Sequence, residues 1–244
     1  MFLTQGEENA DNTWLFAGGG ETQGKYADIA GRRSYIGHFQ ECVRRTDGYV
    51  PEGDIVHNGE NRVNQRYVFN VGRDGRDLSG FLSKADAYIA QMDPRAISYL
   101  IGEEDYGKGE EGREEFQKNL EHLITKGLAL REGKGFVVVQ LPHAVKDAQA
   151  MEQIPLYIEA AEEAVLGFSE QEQKRIVWVD HFTDTNTADF LNGENLTEEG
   201  RLNANGHLLI GRQLCEATIK NTRYFSVVNK IWEEADGPDA YLDV

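Results

Sequence analysis

The sequence predicts a three-layer α/β/α sandwich built on a parallel sheet of about five strands. Three observations lead there. Short apolar runs alternate with longer stretches whose apolar residues recur at helical spacing, the runs end in glycine or polar turns, and the order strand, turn, helix repeats along the chain. Such alternation implies right-handed crossovers and a sheet covered on both faces, with the functional crevice at the carboxyl ends of the strands.

Residues 1–12 (MFLTQGEENADN) are polar and read as a flexible tail, after which Thr13–Ala17 (TWLFA) is a buried strand running into three glycines. Ile36, Phe39, Gln40 and Val43 fall on one helical face, so the first helix reaches about Arg45. A polar connection, 46–65, leads to the strand Arg66–Val71 and to a helix over Leu78–Gln91. Ala96–Ile101 is the third strand, and the acidic loop GEEDYGKGEEG precedes a helix striped by Phe116, Leu120, Leu123, Ile124 and Leu128. Phe136–Leu141 and Ile176–Asp180 complete the strands, separated by a helix with Ile154, Tyr157, Ile158, Ala161 and Val165 on one face. A last helix from Asn203 to about Lys220 carries Ile210, Leu214 and Ala217. This gives one α/β domain over 13–220 and a C-terminal extension over 221–244.

At 244 residues the chain suits one domain with a sizeable core. With 42 acidic against 25 basic side chains, its formal charge of −17 repels phosphate backbones and anionic headgroups. No nucleic-acid or membrane partner is therefore expected. Cys42 and Cys215 are too few for a disulfide framework and read as buried thiols. No leader or membrane span stands out, which leaves a soluble cytoplasmic protein or an excised domain of a secreted one. No cofactor is expected, and His38, His57, His122, His143 and His181 share no metal-ligand spacing. Asp180-His181 is the remaining acid–base candidate, although neighbours in a strand point to opposite faces.

After the first strand comes Phe16-Ala17-Gly18-Gly19-Gly20-Glu21-Thr22-Gln23-Gly24, after the second Asn70-Val71-Gly72-Arg73-Asp74-Gly75, after the third Gly102-Glu103-Glu104-Asp105, and before the last helix Glu198-Glu199-Gly200-Arg201-Leu202-Asn203-Ala204-Asn205-Gly206-His207. In order and placement these resemble the signature blocks of the SGNH/GDSL-type hydrolases, over about 13–219. The resemblance implies an SGNH-hydrolase, flavodoxin-like fold and an ancestry in carboxylic-ester hydrolysis, with carbohydrate acetyl esters as one substrate class. By its register Gly20 stands at the nucleophilic serine, Gly75 at the glycine whose N–H helps to form the oxyanion hole, Glu104 at the oxyanion-binding asparagine, Glu198 at the aspartate and Arg201 at the histidine. Glycine cannot attack a carbonyl, and arginine effectively never deprotonates to act as a base. The resemblance thus implies a domain without Ser-His-Asp chemistry that binds a small-molecule or carbohydrate ligand around Gly20, Glu21, Gly75, Glu104 and Arg201, with Arg201 attracting a carboxylate or sulfate.

Other readings stay open on the same residues. The three acids at 103–105 would suit either a cation or an ordinary solvated loop. An active esterase would need another nucleophile, such as Ser34 or Thr22 with His181 or His207. Gly19 to Lys25 also spells the G-x-x-x-x-G-K of phosphate-binding loops, although Tyr26 stands where Ser or Thr should bind Mg²⁺.

Overall fold

In a computed structural model, the described residues are 13–25, 27, 34–45 and 68–218, with 41–45 described in their backbone only. The 1–12 tail, the 46–65 connection, Tyr26, the side chain of Cys42 and the 221–244 extension lie outside them.

The strands are β1 (Trp14–Gly18), β2 (Val68–Asn70), β3 (Ala96–Leu100), β4 (Phe136–Gln140) and β5 (Ile176–Val179). They pair in parallel in the order β2-β1-β3-β4-β5. This is the flavodoxin-like order, in which the chain winds outward in both directions from a switch point between β1 and β3. β1, β3 and β4 are buried at every residue, which explains why they read as continuous apolar runs rather than as alternating ones.

The helices are α1 (Gly20–Gln23), α2 (Tyr35–Arg45), α3 (Leu78–Met92), α4 (Glu103–Tyr106), α5 (Arg113–Gly133), α6 (Ala148–Leu166), α7 (Glu170–Gln173), α8 (His181–Thr185), α9 (Ala188–Asn192) and α10 (Ala204–Thr218). One sheet face packs on α3, α5 and α6 through Leu15, Ile97, Val137, Phe81, Leu120, Ile124 and Tyr157. The other packs on α2 and α10 through Phe16, Val138, Phe39, Ile210 and Leu214. Asp77 and Asp147 begin α3 and α6 by accepting the backbone N–H of Gly80 and Ala150, which satisfies donors that an uncapped first turn leaves orphaned.

Two local expectations are corrected. Gln40 is exposed and does not join the buried face of α2 with Ile36 and Phe39. The glycine turn after β1 and the acidic loop after β3 are not open loops, since each winds into a one-turn helix, α1 and α4. Such short helices carry too little periodicity to show in the sequence. Cys215 is buried and free. Among the described residues no helix is long and apolar enough to cross a membrane.

Candidate functional site

The switch point between β1 and β3 opens a crevice at the carboxyl edge of the sheet. It is lined by Gly19–Thr22 from the β1 loop, by Leu100–Glu104 and Tyr106 around the end of β3, by Pro142 and His143 after β4, and by Arg201. The β2 loop is tied against it, because Asn70 Nδ2 donates to the Thr22 carbonyl and Arg73 N donates to the Gly18 carbonyl. Gly75 turns through the left-handed region (φ 74°), with space around its Cα, and its N–H points to the same place.

Glu104 sits where those loops converge. Its Oε1 accepts the N–H of Gly20 at 3.1 Å and of Gly75 at 3.0 Å. Two backbone N–H groups from separate loops aimed at one oxygen form the geometry of an oxyanion hole, and here a carboxylate of the protein fills it. Glu104 thus takes the place that an oxyanion would have. Gly19 makes room for it, since a Cβ built on Gly19 would overlap the Glu104 carboxyl group, and one on Gly102 would come within 2.9 Å of its Oε2.

The neighbouring acids point elsewhere. Glu103 forms an ion pair with Arg201 over the crevice. Arg201 is presented by a tight turn in which Leu196 bridges Leu202 and Gly200 takes φ 81°. Glu198 lies exposed on that turn, outside the crevice lining. Asp105 is buried and accepts the N–H of Leu78 at 2.9 Å, the Tyr99 hydroxyl at 2.9 Å and the N–H of Gly102 at 3.1 Å. Burial raises its pKa to about 7, although those donors favour the charged form. The three acids of α4 thus diverge, and among the described residues no cluster of His, Cys, Asp and Glu is placed to hold a metal ion.

Under the crevice lies a grouping that the sequence did not reveal. Glu21 is buried, with its Oε1 accepting the Leu202 N–H at 3.2 Å and lying 3.6 Å from His143 Nε2, while its Oε2 lies 3.6 Å from His207 Nε2. Glu21 Oε2 and His207 Nε2 are buried with no hydrogen-bond partner among the described residues. Tyr35 N donates to His207 Nδ1 at 3.3 Å, so the ring proton is assigned to Nε2, facing the carboxylate. A metal between His207 Nε2 and Glu21 would require the ring proton on Nδ1, but that nitrogen accepts the Tyr35 N–H, which argues against one. His143 Nδ1 lies 2.8 Å from the Ala144 carbonyl, to which it donates. Burial opposes ionisation of Glu21, but His143, the field of His207 and the Leu202 N–H outweigh it and hold the carboxyl below its usual value. Burial depresses His207 to about 4. The His207 ring packs stacked on Tyr35. The one legible clue to His143 was its place just past β4, at the carboxyl edge of the sheet.

The remaining candidates are occupied by structure. Thr22 Oγ1 pairs with Tyr35 Oη at 3.0 Å, and Ser34 Oγ accepts the Gly37 N–H at 3.3 Å. Neither hydroxyl is bonded to a histidine among the described residues. His181 lies between Gln213 and Gln140, at 2.7 and 3.0 Å, while Asp180 caps α8, so the adjacent pair does not share a site. Lys25 binds Asp74 at 2.6 Å, and α1 forms inside the would-be phosphate loop instead of after it, which removes the open cradle such a loop requires.

The sheet order, the covering helices and the loops converging on one crevice define an SGNH/GDSL-hydrolase-type fold. Among solved structures, the chain is similar to an acetylxylan esterase from Geobacillus stearothermophilus in a catalytic-mutant form, with a TM-score of 0.64 and 13% identity over 86% of this chain and 95% of that one. It is also similar to a putative lipolytic protein of the G-D-S-L family from Desulfitobacterium hafniense, with a TM-score of 0.62 and 17% identity over 85% and 99% of the two chains. A third likeness is to an α/β hydrolase enzyme from the metagenome of Lake Arreo, Spain, with a TM-score of 0.62 and 14% identity over 87% and 97%. No protein-family model and no curated protein sequence matches the chain.

Proposed function

We propose that the chain is a non-hydrolytic relative of the SGNH/GDSL-type esterases, whose crevice recognises a small anionic molecule, such as an acidic sugar, without turning it over. The observation that carries this reading is the Glu104 carboxylate seated on the N–H groups of Gly20 and Gly75. Those donors would otherwise stabilise the developing charge of an ester under attack. Gly20 offers no nucleophile at the position matched to serine, and Arg201 in place of histidine has no accessible lone pair with which to take a proton. Beneath Glu104 and Glu103 lie a pair of backbone donors and a guanidinium, groups that suit the binding of a carboxylate or sulfate.

Hydrolysis of p-nitrophenyl acetate tests the proposal. The parent protein is expected to match buffer, and a variant carrying Gly20→Ser, Glu104→Asn and Arg201→His to gain measurable turnover. Burst or steady-state turnover by the parent would sink the non-hydrolytic reading.

A further inference from the structure

We propose that Glu103 and Glu104 are internal stand-ins for the two acidic groups of a ligand, and that the crevice takes a small dicarboxylate or diacidic sugar. This rests on the recognition reading above and gives it a ligand class.

Glu104 occupies a backbone donor pair and the adjacent Glu103 occupies Arg201, so successive residues of one short helix satisfy both positive features of the crevice. The carboxyl group of Glu104 lies directly against Gly19 and Gly102, where a Cβ would collide with it, so the absence of side chains there is what lets a carboxylate reach the donor pair. Arg201 supplies the second point, with a planar fork suited to carboxylate. Displacement needs no opening of the core: Glu104 is half-buried, Glu103 and Gly75 are exposed, and both glutamates belong to a one-turn helix at the rim. An arriving dicarboxylate would exchange each internal bond for an equivalent external one. Its affinity is held down by tethered competitors, whose effective concentration is on the order of millimolar.

Isothermal titration with dicarboxylates from malonate to adipate tests this, with acetate and dimethyl succinate as controls. The proteins are the parent, Glu103→Ala/Glu104→Ala, and the same double variant with Arg201→Gln. Removing the tethered competitors should tighten binding roughly 10- to 100-fold, with a maximum at one chain length, and Arg201→Gln should abolish that gain. Should the alanine pair fold poorly by circular dichroism, Glu103→Gln/Glu104→Gln takes its place with the same expected direction. Absence of tightening, or equal tightening for acetate and every chain length, would overturn the two-point site. Ester turnover assayed on the same preparations separates the two ideas: turnover by the parent counts against the non-hydrolytic reading, whereas failed dicarboxylate binding without turnover overturns this inference alone.

Discussion

The floor and the rim of the crevice each hold a glutamate, and they are satisfied in opposite ways. Glu104 at the rim is half-exposed, and two N–H groups bond one of its oxygens. Glu21 at the floor is buried, and its contacts with His143 and His207 are 3.6 Å long, leaving Oε2 without a hydrogen bond among the described residues. Removing a buried group strands the partners it does have, which costs more than losing a contact at the exposed rim. The floor should therefore govern whether the protein folds, and the rim what it binds.

Substitutions can break this contrast, and the largest effect is expected at the floor. Glu21→Ala should lower unfolding stability by about 2–4 kcal/mol, as it leaves the Leu202 N–H unpaired and opens a cavity. Urea denaturation measures it, and a loss below about 0.5 kcal/mol would make the floor dispensable.

Next comes acid. His181 and His207 are held near 4 by burial, below their usual 6.5, so as the pH falls the unfolded chain takes up protons first and their contribution is lost between about 6.5 and 4. Asp105 acts in the opposite sense. Its folded value of about 7 exceeds the usual 3.8, so its contribution is full below 3.8 and is lost as the pH rises through 7. Between pH 7 and 5, Asp105→Asn should therefore lose more stability than the parent, and His181→Gln less. Paired urea midpoints at the two pH values provide the check, and parallel slopes would refute both assignments.

Smaller again is Gly19→Ala, which should expel the flexible Glu104 carboxyl from its seat for roughly 1 kcal/mol of stability or less. Amide hydrogen exchange at Gly20 and Gly75 should then accelerate severalfold, and unchanged exchange would place the carboxylate elsewhere. The smallest change in stability is expected for Glu103→Gln, under about 0.5 kcal/mol in thermal unfolding, because a partly exposed ion pair contributes little.

The fold was legible because its three central strands are buried on both faces and its long helices carry clear apolar stripes. Each central strand runs within a residue of its expected bounds, and Leu120, Leu123 and Ile124 all face the core. The rim was legible in position but not in role. Glu104 and Gly75 fall on the loops assigned to them, yet sequence spacing does not say that one donates to the other. The floor was hidden, because Glu21 on α1, His143 after β4 and His207 near the start of α10 are brought together only by the crossover topology. No local pattern marks such a grouping. Arg201 was expected as an open anion receptor, but its engagement with Glu103 depends on how the 196–202 turn leans over α4.

The overlap between a side chain at position 19 and the carboxyl group of residue 104 also constrains this protein's history. A seated glutamate at 104 and anything larger than glycine at 19 exclude one another, so the two positions are epistatic and their effects on binding will not add. A lineage that gained the glutamate first would have felt selection at 19 change from that moment. Reconstructed ancestors should therefore show the glycine entering no later than the glutamate.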